Sequence, residues 1–357
     1  MARSELRQAQ ITVRGGGIFG LAAGWALARR GVPVRVIEVA GLGAGASGGV
    51  VGALTPHVPE AWNDKKAFQL QALLMAGAWW AQVAAASGSA TGYGRIGRLQ
   101  PLADADEVAR AQTRSLSAQL LWQGQANWQV LPATGAAWEP VSPTGLLVHD
   151  TLSARINPRL ALSALASAIR AAGGQVILGE APDLGAVLWA NGTAGLDALA
   201  RSSGRAVSGA VKGQAALLRL PGPHGPQISA DGLYIVPHAD GLIAVGSTSE
   251  TTWDDPTSTD AQLDRVIAHA RATLPALQFA DVVDRWAALR PRAASRAPVA
   301  GAWPDRPGHF LLNGGFKIGF GMAPLLAERM ADLMLTGQTD LPASFSPQAA
   351  LDRATPT

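Results

Sequence analysis

The chain contains no cysteine. Disulfides, thiolate metal sites, iron–sulfur clusters, a cysteine nucleophile and a cysteinyl-linked cofactor are therefore excluded. Lysine is almost as scarce: Lys65, Lys66, Lys212 and Lys317 are the only ones among 29 basic residues. With 26 acidic residues the net charge is +3, and no basic run tracks a nucleic-acid backbone. No heptad or glycine period occurs, so fibrous and coiled-coil readings fail. No stretch reaches the ~20 apolar residues of a membrane span. Residues 15–28, charge-free behind a basic start, imitate a signal peptide. They are too short to span a bilayer, and their glycines fit another pattern. The expectation is a soluble, cytoplasmic protein.

What the chain has in quantity is apolar side chain (48%) and glycine (41 of 357). The first permits a sizeable core. The second points to many tight turns or to close approach of backbone to a ligand. Length suggests two domains. Strands are expected at 11–14 and 34–38 around a helix at 19–30, and further helices at 68–86, 107–122, 157–172 and 260–273. The C-terminal part repeats the opening pattern, with a strand at 309–312, a glycine loop at 313–321 and a helix at 324–335. Strand-like segments recur at 214–220, 232–237, 241–247 and 282–289. A Trp-rich stretch (Trp122, Trp128, Trp138) is read as core, and the tail from Thr339 as loosely held. Apolar runs before glycine turns, interleaved with strand-rich stretches, predict a parallel α/β domain built from separate segments with a mostly antiparallel domain inserted.

Gly15-Gly16-Gly17-Ile18-Phe19-Gly20 is G-x-G-x-x-G between strand and helix. Its glycines permit a tight turn, backbone approach to a pyrophosphate and close helix packing. The phosphates would sit at the positive end of the helix. Glu38 closes the second strand eighteen residues after Gly20, where a carboxylate can accept ribose hydroxyls. The combination predicts a bound dinucleotide. Arg14, at a strand position that should be apolar, has no account at this level. Gly45-Ala46-Ser47-Gly48-Gly49 also matches the hydrolase nucleophile elbow, which needs a buried strand ending at the serine. Ser47 instead lies deep in a glycine-rich loop and is read as a phosphate-binding hydroxyl. The six histidines lack metal spacing, so no metal site is expected. His57 and His238 are read as structural first and as site residues second.

These motifs resemble the flavin amine oxidases of the D-amino-acid oxidase superfamily, glycine oxidases in particular. The likeness covers nearly the whole chain. The opening motif, Glu38, Ser47 and Gly52-Ala53-Leu54 are similar to the family's FAD pyrophosphate and flavin-facing loops. Asn157-Pro158 and Ala190-Asn191-Gly192-Thr193 are similar to its second FAD-binding stretch. Leu233-Tyr234-Ile235-Val236-Pro237 and Val245-Gly246-Ser247-Thr248 resemble its substrate-domain strand pair. Trp286-Ala287-Ala288-Leu289-Arg290-Pro291 and Gly314-Gly315-Phe316-Lys317-Ile318-Gly319 resemble its C-terminal portion.

The resemblance implies an α/β fold. A Rossmann-like FAD-binding domain (1–82, 150–205, 297–340) would interleave with an α+β substrate domain (83–149, 206–296), followed by a tail (341–357). It implies non-covalent FAD held by Gly15, Gly17, Ile18, Phe19, Gly20, Glu38, Ser47, Gly52, Ala53, Leu54, Gly192 and residues 314–319. It also implies oxidation of an amine carbon beside a carboxylate by hydride transfer to flavin N5. The amino group must be neutral, and orientation falls to a guanidinium fork. Arg290 holds the carboxylate-binding position, and Tyr234 lies on a strand whose tyrosine can line the substrate site. Where glycine oxidases tend to carry His and Arg, this chain has Gly315 and Lys317; lysine is a point charge rather than a fork. Lys317 is read either as a positive charge near the flavin or as a solvated loop residue. The segment 175–190 is short for the family.

The expected reaction is oxidative deamination of a small amino acid (glycine, sarcosine or a small D-amino acid), with O2 giving H2O2. One alternative is a dehydrogenase passing electrons to a quinone or carrier. Another is a flavin enzyme trimming carboxymethylaminomethyl-uridine in tRNA, faintly suggested by Ser295-Arg296-Ala297-Pro298. The missing methyltransferase half and the lack of a basic cluster beyond 285–296 weigh against it, so no nucleic-acid partner is expected. A flavoprotein that merely binds FAD is the non-enzymatic alternative. Oligomeric state is left open.

Overall fold

The computed structural model describes residues 10–222 and 225–356. The basic start, the first nine residues of the expected FAD-binding segment and the last residue of the tail lie outside them. In chain order the elements open with β1 (Ile11–Arg14), α1 (Ile18–Ala28), β2 (Val34–Glu38), β3 (Ala53–Leu54) and α2 (Asp64–Ser87). Next come β4 (Arg98–Pro101), α3 (Ala105–Leu121), β5 (Trp128–Pro132), β6 (Leu146–Asp150), β7 (Ala154–Arg155) and α4 (Pro158–Ala171). Then follow β8 (Gln175–Leu178), β9 (Ala186–Trp189), α5 (Thr193–Ser203), β10 (Arg205–Ala206), β11 (Ser208–Arg219) and β12 (Gln227–Ala230). After them come β13 (Leu233–Pro237), β14 (Leu242–Gly246), α6 (Ala261–Thr273), β15 (Asp281–Ala293) and β16 (Val299–Ala302). The chain ends with β17 (His309–Asn313), α7 (Gly319–Thr336), α8 (Pro347–Asp352) and β18 (Thr355–Pro356).

Two large sheets divide these strands. One has the order β16-β17-β9-β1-β2-β8 and is parallel except at β16–β17. The other, β15-β11-β14-β13-β12-β4-β6-β5, is antiparallel except at β12–β4. The expected α/β fold, with a parallel sheet drawn from separate segments and a mostly antiparallel one between them, is what forms.

Helix α1 is apolar on every side and lacks a side-chain N-cap, which suits a helix buried all round. It packs with α2, α4 and α7 into the main core. Residues 15–28 therefore form the glycine loop and a core helix. Helix α4 begins as its sequence predicts: the Asn157 side chain accepts the Leu160 N–H, and Pro158 takes the first turn. Trp122 and Trp128 are core, at 6.1 Å edge to face, and Trp138 is half-buried against the second core. Along β11 the period of two sends Ala216 and Leu218 toward α6 and Ala215 toward Val50, Val236 and Ala244 on the opposite face. Among the described residues no helix is long and apolar enough to cross a membrane.

Two expectations need correction, and one open point is resolved. Helix α7 starts at Gly319, so Pro324 lies inside it rather than at its start. The tail is packed: Phe345 is fully buried against Phe68, α8 buries Ala350 and Leu351, and β18 pairs with β10. Arg14 acquires an account, because its guanidinium donates to Asp183 Oδ1 at 2.7 Å and to the Ala181 carbonyl at 2.9 Å. That contact pins the β8–β9 connection, which is as short as the sequence suggested.

Candidate functional site

The first glycine loop leaves β1 through Gly15, whose φ of +117° and 2.5 Å clearance from the Ala190 carbonyl admit no side chain. The Ile18 N–H, at the first turn of α1, donates to Ser47 Oγ at 3.0 Å. An oxygen thus already sits at the positive end of a buried helix, where an anion is favoured. Ser47 lies in a short 3-10 turn (Ala46–Gly48), not at the end of a buried strand, so it does not form a nucleophile elbow. Glu38 accepts the Gly16 N–H at 2.6 Å and the Ala40 N–H at 2.8 Å, which fixes its carboxylate beside the loop.

From this loop a cavity of about 570 Å³ runs to the face of the antiparallel sheet. Gly15, Gly17, Ile18, Phe19, Glu38 and Ser47 line one end, and Gly52, Ala53 and Leu54 line a side wall. Gly192 lines it from the turn before α5, and Gly314, Gly315, Phe316, Lys317, Ile318 and Gly319 from the loop into α7. Tyr234 and Arg290 line it from β13 and β15. Gly20 does not line it. A Cβ there would lie 1.9 Å from the Gly15 carbonyl oxygen, so Gly20 serves close packing of helix on strand.

Several lining residues carried no prediction. Asn313 ties the two distal glycine turns together, accepting the Gly192 N–H at 2.8 Å and donating to the Trp189 carbonyl at 3.1 Å. Gln69 projects from apolar α2, donates to the Thr55 carbonyl at 3.2 Å and accepts the His57 N–H at 2.7 Å. A buried glutamine on an apolar helix face was the available signal. Ser247, Trp286 and Asn191 also line the cavity. They lie within the family-like motifs, whose pattern gives them no role.

Arg290 is buried, donating from Nη1 to the Thr248 carbonyl at 3.0 Å and from Nη2 to Ser247 Oγ at 2.8 Å. Burial pushes it down to about 10 while the nearby Glu250 charge opposes the shift, so it is a cation at neutral pH. Lys317 is exposed at the edge of the same cavity, its Nζ 5.7 Å from the Phe316 ring centre. Partial desolvation and then the Arg290 charge push it below its usual value. Among the described residues neither cation forms an ion pair. His57 stands behind Gln69, with its Nδ1 on Gln69 Oε1, and burial lowers its pKa. His238 Nε2 holds the Val50 carbonyl at 2.8 Å, and burial lowers its pKa as well. Neither histidine lines the cavity.

The model of the FAD-dependent oxidoreductase family matches residues 10–333. The chain belongs to this family. FAD is its cofactor, and the donor set fits that group. The buried Thr55 Oγ1 and Asn191 Oδ1 have no protein partner and belong to cavity-lining residues. The glycine loop and Ser47 meet the helix N-terminus as a pyrophosphate requires.

Glycine oxidase of Pseudomonas putida is 37% identical over 144 residues, 40% of this chain and 39% of that protein. The chain thus spans about two fifths of the Pseudomonas relatives it matches, P. aeruginosa glycine oxidase included. Glycine oxidase of Geobacillus kaustophilus is 27% identical over 92% of this chain and 93% of its own. In fold, this FAD-dependent oxidoreductase is similar to the crystal structure of glycine oxidase from G. kaustophilus, with a TM-score of 0.83 at 22% identity. That match covers 95% of this chain and 98% of the other. Iminodiacetate oxidase from Chelativorans sp. BNC1 has the same fold, with a TM-score of 0.82 at 20% identity over 94% and 98% of the two chains.

Proposed function

We propose that this FAD-dependent oxidoreductase oxidises a small amino acid, namely glycine, sarcosine or a small D-amino acid, at the carbon bearing the amino group. The observation that carries the reading is Arg290: a buried cation on the cavity wall, without a carboxylate partner among the described residues, whose guanidinium is held from behind by Ser247 and Thr248. Its remaining N–H groups suit a planar carboxylate in two-point contact. Tyr234, on the neighbouring wall, supplies a hydroxyl for the same ligand. Holding the carboxylate at one end fixes where the α-carbon lies, which is the orientation such a reaction needs.

The amino group must reach the site neutral so that its lone pair can assist loss of the α-hydrogen. Lys317 and Arg290 favour that state, since nearby positive charge disfavours an ammonium. Lys317 itself is lowered, first by burial and then by the Arg290 charge. FAD supplies the acceptor for the hydride when it is bound. For its retention we assign the α1 N-terminus and Ser47 to the pyrophosphate, Glu38 to the ribose, and residues 52–54 and 314–319 to the flavin. The imine released takes up water to give an oxo acid and ammonia, or methylamine from sarcosine, and O2 takes the two electrons with two protons to become H2O2. In domain terms, segments 1–82, 150–205 and 297–340 hold the cofactor, and 83–149 and 206–296 present the substrate.

Oxygen uptake and peroxide formation with glycine, sarcosine and D-alanine test the reading. One peroxide per oxo acid supports it. Turnover only with a dye or quinone would replace O2 by a carrier, and no turnover with any of the three under either condition would sink the small-amino-acid reading.

A further inference from the structure

We propose that Glu250 and Gly213 are positioning residues for Arg290, and that together they set its guanidinium for carboxylate binding; this rests on the carboxylate-binding role given to Arg290 above. The guanidinium lies directly over Gly213 of the adjacent strand. A Cβ at that position would fall 1.8 Å from Nη2, 1.9 Å from Cζ and 2.1 Å from Nη1. Any side chain there displaces the fork. The register explains why: Val211 is the cross-strand partner of Arg290 and Gly213 that of Ala288, so both point to the face that also carries Trp286.

The second part of the mount is the segment after β14. Its Ser247 Oγ and Thr248 carbonyl accept the two guanidinium hydrogen bonds. That segment is in turn anchored by Glu250, which is buried. Glu250 Oε1 accepts from the Thr248 hydroxyl and from Gln214 Nε2, the latter at 3.0 Å. The Gln214 N–H donates to Thr248 Oγ1 at 2.8 Å, and Lys212 and Glu250 exchange backbone hydrogen bonds at 2.9 and 3.0 Å. Lys212 Nζ stands 3.8 Å from Glu250 Oε2 and 3.7 Å from Asp260 Oδ2.

The arrangement has a chemical consequence. A carboxylate bonded directly to Arg290 would occupy the donors that a substrate needs. Glu250 makes no hydrogen bond to Arg290 and acts through Thr248, so it favours the cation and fixes its mount while leaving the fork free. A bare structural role for Glu250 would not couple it to Arg290.

The test uses FAD-loaded enzyme and acetate as the probe, with affinity read from the shift of the flavin absorption band, alongside KM and kcat for the accepted amino acid. Glu250→Leu, which removes the acceptor of the Thr248 hydroxyl, should weaken acetate and raise KM about tenfold or more, with kcat changing less than about threefold. Thr248→Val should do the same more mildly, and Gly213→Ala should weaken acetate as far as Arg290→Met, with flavin retained. In the Arg290→Met background, Glu250→Leu should add no further loss beyond about twofold. Equal losses with and without Arg290, or unchanged acetate affinity in Glu250→Leu, would overturn the proposal. If Glu250→Leu does not fold, unchanged acetate affinity in Thr248→Val overturns it. Should Arg290→Met itself leave acetate binding unchanged, the carboxylate role of Arg290 fails first, and that result is distinct from the others.

Discussion

Gly20→Ala adds a single methyl group outside the cavity, yet it should loosen the cofactor. The added carbon would sit 1.9 Å from the Gly15 carbonyl oxygen and 3.4 Å from the Ala190 Cβ. Carbon–oxygen contacts ordinarily close to about 3.3 Å, so α1 must withdraw from the Gly15 carbonyl by roughly 1.4 Å. The helix is buried along its whole length against α4 and α7, which resist that movement. Overpacking of this kind costs about 1–3 kcal/mol. The same movement takes the Ile18 N–H away from Ser47 and the helix end away from the phosphate position. However the strain divides between the empty protein and FAD binding, the FAD-loaded protein loses about 1–3 kcal/mol. If the strain falls on binding alone, FAD affinity drops roughly 5- to 150-fold. Urea melts with and without FAD, combined with flavin-fluorescence titration, measure both shares. A variant with unchanged melts and unchanged FAD affinity would refute the packing role of Gly20 and the account of the glycine loop built on it.

Ser47→Ala removes the acceptor of the Ile18 N–H, so the FAD-free protein should lose about 0.5–1.5 kcal/mol in a urea melt. The loss should grow when FAD is present, because the variant also lacks the hydroxyl assigned to the pyrophosphate. Phe345→Ala should cost about 3–5 kcal/mol by the same assay, since the ring is fully buried against Phe68; a loss under 1 kcal/mol would return the tail to a loosely held segment. His57 and His238 both have folded-state values below their ordinary 6.5, because burial disfavours the charged form. The unfolded chain then binds more protons below 6.5, so stability present above that pH is lost as pH falls through the folded values. Urea melts at pH 7 and 5 should show the decline, and replacing His238 by Asn should reduce it.

Much of this molecule is legible in its residues because the relevant signals are local. Strand, glycine turn and helix lie within eighteen residues of one another at the start, and the glycine loop can be read from them. Asn157-Pro158 likewise carries its own cap and first turn. What stayed hidden depends on partners remote in sequence. Arg14 looked out of place until Asp183, 169 residues away, was brought beside it. Pro324 reads locally as a helix start, but the loop before it winds into the first turn of α7, where five residues precede the proline. The tail has too little apolar length to predict packing, and its burial comes from Phe68 and from the strand at Arg205–Ala206. Arg290 was visible through its motif, whereas Gly213 and Glu250 lie on other segments of the sheet edge, and only cross-strand register joins them to it. Gln69 and Asn313 are hidden for the same reason: Gln69 ties α2 to the loop at Thr55 and His57, and Asn313 joins two glycine turns.

The central claim is that a small amino acid, held by its carboxylate, delivers two electrons to FAD in this cavity. The most direct test is to mix the FAD-loaded enzyme anaerobically with glycine, sarcosine and D-alanine in turn and follow the flavin absorbance. The account predicts bleaching by at least one of them, with a dependence on amino-acid concentration that Arg290→Met shifts to much higher values. Flavin that stays oxidised with all three, in enzyme that retains its FAD, would contradict it.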